Sequence, residues 1–415
     1  MTEQQTPPDY AWHVGIDWGG QSHQVCVVRS SGDVHDEFAV PHSGEGLAEL
    51  IRHLGELGAN VAVAIEVPRG AIVEGLVERG FAVYAINPKQ LDRFRDRHTA
   101  GGAKDDRRDA QVLARSLRTD LSSFRRVRLD HPLVIQIREL SRMSDAIEED
   151  FRRAANRLRD VLHRTFPAAI ELCPAADEPW LWALLDKAPT AQGAATLKTR
   201  AVENILRRHR IRRLVPDQVV RALHAKPLPT APGVSEAASR HIKSLLPQLE
   251  LLHEQRRDIE RQMATLLEQL GNQEPEPGQT SEHRDVQILL SFVGVGTNVG
   301  ATMLAEAGQA LAERDYQALR AHTGNAPITR QSGKRRVVVM RRACSLRLRE
   351  ATYHWGRVAA IYDPQSRARY QALRARGHSH GRAVRGVIDW LLRVLVACLK
   401  AGTLYRPAIT QGAAA

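Results

Sequence analysis

The sequence predicts an α/β domain of the ribonuclease-H type, then a long helical, coiled-coil middle and a mainly α C-terminal domain. Three observations lead to this prediction. Residues 13–118 alternate between short apolar runs and stretches with helical spacing. From residue 133 onwards, apolar side chains recur every three or four positions, and residues 285–400 combine helical spacing with many basic side chains. The length of 415 residues agrees with two or three domains.

Three strands open the N-terminal domain, and βα units follow them. We expect strands at residues 13–17, 24–29, 33–40, 61–67 and 82–86, with helices at 43–57, 70–78, 89–96 and 105–117. The apolar run 61–67 ends at Pro68, as is typical of a buried central strand. Because a doubly wound sheet would alternate with helices from the start, the three initial strands favour a mixed sheet.

Two long amphipathic helices are expected in the middle of the chain. Apolar residues recur with helical spacing from Ile137 to Val161 and again from Ile242 to Leu270. Their lengths favour a helical hairpin or an intermolecular coiled coil. The segment between them receives no assignment beyond helical, and residues 271–282 have the composition of a linker. We therefore expect domains at 11–125, 129–280 and 283–405.

The charge of the chain is concentrated near its C-terminus. The net charge is +12, whereas residues 331–400 contain 16 Lys and Arg against 3 acids, a balance of +13. This concentration favours a polyanionic partner for one module. A hydrophobic content of 43% excludes a disordered chain, and no apolar run suits a membrane span or a secretory signal. Four scattered cysteines without CxxC spacing argue against structural zinc and favour a cytoplasmic protein.

Four carboxylates of the N-terminal domain form a candidate metal site. Asp17 lies near the end of the first strand, Glu66 ends the buried strand, and Asp106 and Asp109 are spaced to share one face of a helix. Such a cluster repels itself unless cations bind, and oxygen ligands suit Mg²⁺. Taken singly, these acids are also consistent with a turn residue, a strand-end acid and a solvated helix start capped by Asp105.

Two segments of the C-terminal domain are candidates for contact with nucleic acid. Residues 289–308 resemble a helix-hairpin-helix element, in which the amides around Gly294 and Gly296 would bind a DNA phosphate, although a tight turn without a ligand has the same pattern. Ser332 precedes a glycine and could be a nucleophile among cations, or an ordinary turn serine. The cations that follow it are Lys334, Arg335 and Arg336.

These pieces, in this order, resemble the insertion-sequence 110 family of transposases, which are bridge-RNA-guided recombinases. GIDWG with His23 and AIEVPRG resemble its two acidic strands, and KDDRRDAQVLA resembles its acidic helix, with Asp105 in place of the usual Thr. FVGVGTNVGATMLAEAG, HTGNAPITRQSGKRR and ACSLRLREATYHW resemble segments of its second domain. There, Phe292–Val293 replaces the usual Pro and Cys344–Ser345 replaces Gly-Asn. The resemblance covers roughly residues 13–165 and 285–400.

The resemblance implies an enzyme that cuts and rejoins DNA. The carboxylate set, Asp17, Glu66, Asp106 and Asp109, would bind Mg²⁺, with two ions expected in a RuvC-like DEDD domain. Ser332 would form a covalent 5′-phosphoserine, and the strands would be rejoined without a high-energy cofactor. Donor and target DNA and a structured guide RNA are the implied partners. Assembly of a homodimer or homotetramer, associated with the nucleoid when active, could complete the site.

Three other functions are consistent with parts of this pattern. A RuvC-type nuclease would use the carboxylates and water without a covalent intermediate, so it would not need Ser332. An actin-like ATPase or sugar kinase shares the GIDxG opening around Asp17, but it requires a second phosphate loop and an adenosine motif, which the sequence does not contain. A non-catalytic nucleic-acid-binding protein is the third, and the presence of all four acids together with the serine argues against it.

Overall fold

A computed structural model describes residues 9–67, 69–86, 88–98, 105–127, 130–231, 233–272, 282–333 and 335–407. The chain divides into two compact units, Met1–Asp130 and His131–Ala415. Within the described ranges, no helix is long and apolar enough to span a membrane. All four cysteines are free, and Cys26 and Cys173 are buried.

The described residues of the first unit form a six-stranded sheet and four α-helices. Its strands are β1 Trp12–Trp18, β2 Ser22–Arg29, β3 Val34–Pro41, β4 Val61–Ile65, β5 Ala82–Ala85 and β6 Arg125–Arg126. Its helices are α1 Gly44–Glu56, α2 Ala71–Glu78, α3 Pro88–His98 and α4 Asp106–Thr119. The strand order is β3-β2-β1-β4-β5-β6. β1, β2 and β3 pair antiparallel, whereas β4 and β5 run parallel to β1, so the predicted mixed sheet is confirmed.

Strand alternation separates two cores on the two faces of this sheet. Val63 and Ile65 of β4 pack on one face with residues of α1 and α2. Ala62 and Ala64 of the same strand pack on the other face with residues of α4. Their small side chains let α4 lie close to the sheet. The predicted strand 61–67 ends two residues early, at Ile65, so Glu66 directly follows the strand.

The second unit is mainly helical. Its helices are α5 Pro132–Thr165, α6 Pro167–Leu172, α7 Pro179–Lys187, α8 Ala191–Ala194, α9 Thr199–Arg208, α10 Pro216–Leu223, α11 Val234–Asn272, α12 Glu282–Leu290, α13 Thr297–Ala312, α14 Tyr316–His322, α15 Leu346–Tyr362, α16 Pro364–Ala375 and α17 His380–Ala401. A hairpin of β7 Ile328–Ser332 and β8 Arg335–Val339 interrupts the helices. Helices were expected in this region, and the hairpin was not predicted.

The two long helices predicted for the middle of the chain are confirmed, and they pack on each other. Ile137 of α5 shares a core with Met263 of α11, whereas Leu158 of α5 shares another core with Ile242 of α11. The start of each helix therefore lies beside the end of the other, in an antiparallel pair. Most of the predicted linker, residues 273–281, lies outside the described residues.

The segment between the long helices forms a core of its own. Trp180 and Trp182 of α7 are fully buried there, and the indole nitrogen of Trp182 donates to the carbonyl of Ala176 at 3.0 Å. Short helices α6 to α10 surround them and cover the end of the antiparallel pair that contains Leu158 and Ile242. This region, which the sequence left unassigned beyond helical, is a compact helical cap.

Candidate functional site

Asp17 lies near the carboxyl end of β1, in the centre of the sheet. In the parallel register of β1 and β4, Ile16 is the partner of Ile65. Asp17 and Glu66 are therefore the next residues of two neighbouring strands. Because parallel strands end at the same edge of a sheet, both half-buried carboxylates lie at that edge.

Helix α4 rests directly on β1 at Gly15. A methyl group at Gly15 would overlap the carbonyl oxygen of Ala110. Side chains two residues apart share a face of a strand, so Asp17 faces the same side of the sheet as Gly15. The first turn of α4 supplies Asp106 and Asp109 on that side. The fold thus brings all four predicted acids to one edge of one sheet.

The two acids of α4 have different surroundings. The predicted cap is confirmed, because the side chain of Asp105 accepts a hydrogen bond from the amide of Arg107 at 3.3 Å. Asp106 is exposed, whereas Asp109 is 2% exposed. The interpretation of these two acids as a solvated helix start therefore fails for Asp109, because its carboxylate is buried.

Burial and the neighbouring carboxylates both act on Asp17. Burial raises the pKa of Asp17, and the negative charges of Asp109, Asp106 and Glu66 raise it further, to about 6. Arg95 acts in the opposite direction and lowers this pKa. The four carboxylates are thus close enough to oppose ionisation of the central one, as expected of a site that needs cations.

One cation of the chain already lies at this site. Arg95, from α3, donates from Nε to Oδ1 of Asp109 at 2.6 Å and from Nη2 to Oδ2 at 2.7 Å. Its Nη1 donates to Oδ1 of Asp92 at 2.5 Å. Arg95 was not predicted as a site residue, since no spacing rule separates it from Arg93, its basic neighbour on the same helix.

The four carboxylates converge without closing around a single point. Among the described residues, the only group of three or more possible metal ligands within 4.8 Å of one another is Cys173, Asp177 and Glu178, in the second unit. Glu178 already accepts from Arg213 at 2.6 Å and from the indole of Trp180 at 3.0 Å, so its charge is compensated. That group resembles a structural ion-pair network.

Ser332 is exposed at the tip of the β7–β8 hairpin. It is the cross-strand partner of Arg335, and Gln331 is the partner of Arg336. Side chains of such partners lie on the same face, and faces alternate along each strand. Ser332 therefore shares its face with Arg335 and with Arg330, whereas Arg336 lies on the opposite face. Lys334, also predicted to bind nucleic acid, lies outside the described residues.

The turn between α12 and α13 contains the two predicted glycines. Gly294 has a φ of +92°, and a methyl group there would lie 3.1 Å from the carbonyl oxygen of Trp355 in α15. Packing and backbone conformation thus both require glycine at 294. Gly296 is the N-cap of α13 and has open space around it. Its surroundings leave room for a ligand at the start of α13.

Family models match both parts of the chain that carry candidate residues. Residues 14–167 match the model of the IS110-type DEDD transposase, described as "Transposase". This range contains the four carboxylates and Arg95. Residues 286–371 match "Transposase IS116/IS110/IS902 family", a range that contains Ser332 and the turn between α12 and α13.

Three relatives extend this similarity. The chain is 31% identical over 401 residues to the "Mini-circle putative transposase for IS117" of Streptomyces coelicolor, covering 93% of each chain. It is 25% identical to the 43.6-kDa protein of insertion element IS110 from the same species, over 97% of this chain and 98% of that one. It is 46% identical to "Putative transposase y4uE" of Sinorhizobium fredii over 48% of this chain, a match that spans 57% of y4uE, less than two thirds of its length.

Proposed function

This chain belongs to the IS110 family of transposases, and on that premise we propose that it cuts and rejoins the DNA of an insertion sequence through a covalent serine–DNA intermediate. The observation that carries the proposal is the convergence of Asp17, Glu66, Asp106 and Asp109 at one edge of the sheet, where three of them raise the pKa of the fourth. Acids that repel one another this way are suited to binding divalent cations.

The sheet supports a RuvC-like assignment of the first unit. Three antiparallel strands followed by two parallel ones, in the order β3-β2-β1-β4-β5, agree with the ribonuclease-H type predicted from the sequence. In such a sheet the carboxylates belong to the ends of β1 and β4 and to a helix packed on the sheet. Asp17, Glu66 and the first turn of α4 have those positions.

The donor set fits Mg²⁺, and we expect two ions. Hard carboxylate oxygens are the ligands that Mg²⁺ prefers, and Asp17 and Asp106 retain solvent access for water ligands or a phosphate. When bound, the ions would neutralise charge on the scissile phosphate and polarise its P–O bonds. The part of the protein is to keep the four carboxylates at one edge, through the register of β1 with β4 and the contact of α4 with Gly15.

Ser332 is the proposed nucleophile. Its Oγ would form a bond to the scissile phosphorus while the bond from phosphorus to the 3′ oxygen breaks, and the serine proton would pass by way of water to the departing 3′ oxygen. The products are a 5′-phosphoserine and a free 3′ hydroxyl, and attack by another 3′ hydroxyl reverses the step and rejoins the strands. Arg335 and Arg330, on the face of Ser332, would stabilise the charge that develops on the phosphate.

The basic C-terminal region is the proposed nucleic-acid surface. Residues 331–400 carry a net charge of +13, and arginines of α16 and α17 such as Arg374 and Arg382 are partly or fully exposed. Backbone contacts from such a surface suit donor and target DNA, and also the A-form helices of a structured guide RNA. We propose this RNA as the source of sequence specificity and a homo-oligomer, dimer or tetramer, as the active assembly.

An adduct experiment tests the proposed mechanism. The full chain would be incubated with DNA containing the junction of its own insertion sequence, a transcript of the flanking non-coding region, and MgCl₂, and then analysed on denaturing gels with and without protease. We expect a protease-sensitive protein–DNA adduct that is absent in Ser332→Ala and in Asp106→Asn. Strand cleavage that persists in Ser332→Ala would contradict the serine mechanism and leave a nuclease that uses metal and water.

A further inference from the structure

Arg95 occupies the position of a counter-ion within the carboxylate group. Two of its nitrogens donate to the two oxygens of Asp109, at 2.6 and 2.7 Å, in the paired geometry that gives arginine–carboxylate contacts their strength. A third nitrogen donates to Asp92 on the same helix, at 2.5 Å. The guanidinium is therefore fixed from both sides and joins α3 to α4.

Burial makes this pair important to the fold. The side chain of Asp109 is 3% exposed and that of Arg95 is 25% exposed. A buried carboxylate without a partner is strongly unfavourable, so the folded apoprotein requires a positive charge at this point. Arg95 provides it, and its charge also favours ionisation of Asp17.

The same pair limits what Asp109 can offer to an ion. Both oxygens of Asp109 point at Arg95, and the described residues do not gather three of the four carboxylates within 4.8 Å of one another. A divalent ion at this edge would need oxygens from several of them at once. The ion and Arg95 therefore compete for the carboxylate of Asp109, so that binding of one weakens binding of the other.

We propose that Arg95 is a built-in counter-ion of the carboxylate site, and that divalent cations bind by displacing it from Asp109. The inference rests on the proposed function, because it takes the four carboxylates as metal ligands. Arg95 is then a positioning residue that keeps the site stable without metal and lowers its affinity for metal. A role limited to orienting Asp109 as a ligand has the opposite consequence, since removal of Arg95 would then weaken metal binding.

Metal titrations distinguish these two roles without measuring activity. The melting temperature of the full chain would be followed against MgCl₂ and MnCl₂ concentration, with bound Mn²⁺ counted by electron paramagnetic resonance. In Arg95→Ala we expect a lower melting temperature without metal. We also expect an apparent dissociation constant for the metal that is at least fivefold lower than in the wild type, a typical size for coupling between two ligands. The control is Arg93→Ala, an exposed arginine on the same helix, which should behave as wild type.

A conservative variant keeps the test decisive if Arg95→Ala does not fold. Arg95→Lys retains the charge but not the paired hydrogen bonds to Asp109, so we expect an apparent dissociation constant for the metal between those of the wild type and Arg95→Ala. An apparent dissociation constant that is unchanged or higher in the folded Arg95 variants would overturn the proposal.

The variant Asp17→Asn distinguishes an error in the role of Arg95 from an error in the proposed metal site. Metal stabilisation that is lost in Asp17→Asn but insensitive to Arg95 refutes the counter-ion alone, whereas no stabilisation in any variant refutes the metal site itself and this inference with it.

Discussion

An Asp17→Asn substitution removes the charge on which the other three carboxylates act. Asn has nearly the shape of Asp, so the packing of β1 should be kept while the repulsion disappears. The pKa of Asp17 is raised because burial and the charges of Asp109, Asp106 and Glu66 oppose its ionisation. We therefore expect the variant to be more stable than the wild type in the absence of metal at pH 8, although it lacks a proposed ligand.

The size and the pH dependence of this gain follow from the pKa. A rise from 3.8 to about 6 corresponds to about 3 kcal/mol, and solvent screening of a half-buried side chain reduces the expected gain to about 1–3 kcal/mol. The folded protein binds this proton more tightly than the unfolded chain does. The free energy of unfolding of the wild type therefore falls as the pH rises from 3.8 through about 6, because the unfolded chain releases this proton before Asp17 ionises in the folded protein. The gain of the variant should be absent near pH 4 and complete above pH 7.

Urea unfolding in EDTA, followed by tryptophan fluorescence at several pH values, measures this gain. Added MgCl₂ should stabilise the wild type at pH 8 and leave Asp17→Asn unchanged. The control is Glu49→Gln, which removes an exposed charge on α1 and should change stability by less than about 0.5 kcal/mol. A variant less stable than the wild type at pH 8 without metal, or equally stabilised at pH 4 and pH 8, would contradict the inferred repulsion of Asp17 by its neighbours.

Three further substitutions test the contact at Gly15, the faces of the β7–β8 hairpin and the cap of α4. Gly15→Ala should lower the unfolding free energy by at least about 2 kcal/mol in urea, because the methyl group overlaps α4; stability equal to that of Gly44→Ala, where space is open, would contradict this contact. Arg335→Gln should slow adduct formation at saturating DNA by about tenfold or more, whereas Arg336→Gln, on the other face of the hairpin, should weaken DNA binding alone; equal effects on the rate would refute the assignment of faces. Asp105→Ala should cost about 1 kcal/mol in urea by removing the cap of α4, and an unchanged midpoint would show that the cap does not contribute.

The elements of the first unit were predictable because local patterns determine them. The short apolar runs in β1, β2 and β4 and the polar alternation in β3 identify strands without knowledge of their partners. The acids at strand ends and on one face of α4 follow from the same patterns. Together they were predicted to form one candidate metal site. The end of β4 was misjudged by two residues, since Val67 continues the apolar pattern beyond Glu66 in the sequence, whereas the pairing of β4 with β1 ends at Ile65.

Features that depend on tertiary contacts were not predictable. Arg95 lies among other arginines in α3, and its role depends on α4 packing beside that helix. The β7–β8 hairpin is a different case, because the β-branched residues 337–339 and the glycine at 333 are a local hairpin signal that was overlooked. Helical periodicity predicts α5 and α11 but does not identify the partner of either helix. Their antiparallel pairing within the chain needed the structure.

The most direct test of the central claim is to identify the residue that carries DNA in the trapped adduct. The adduct would be digested with trypsin and nuclease, and the peptides analysed by tandem mass spectrometry. We expect a nucleoside 5′-phosphate on Ser332, with no modified peptide from a Ser332→Ala preparation. A nucleotide attached to another side chain, or cleaved DNA with no modified peptide at all, would contradict the proposed role of Ser332.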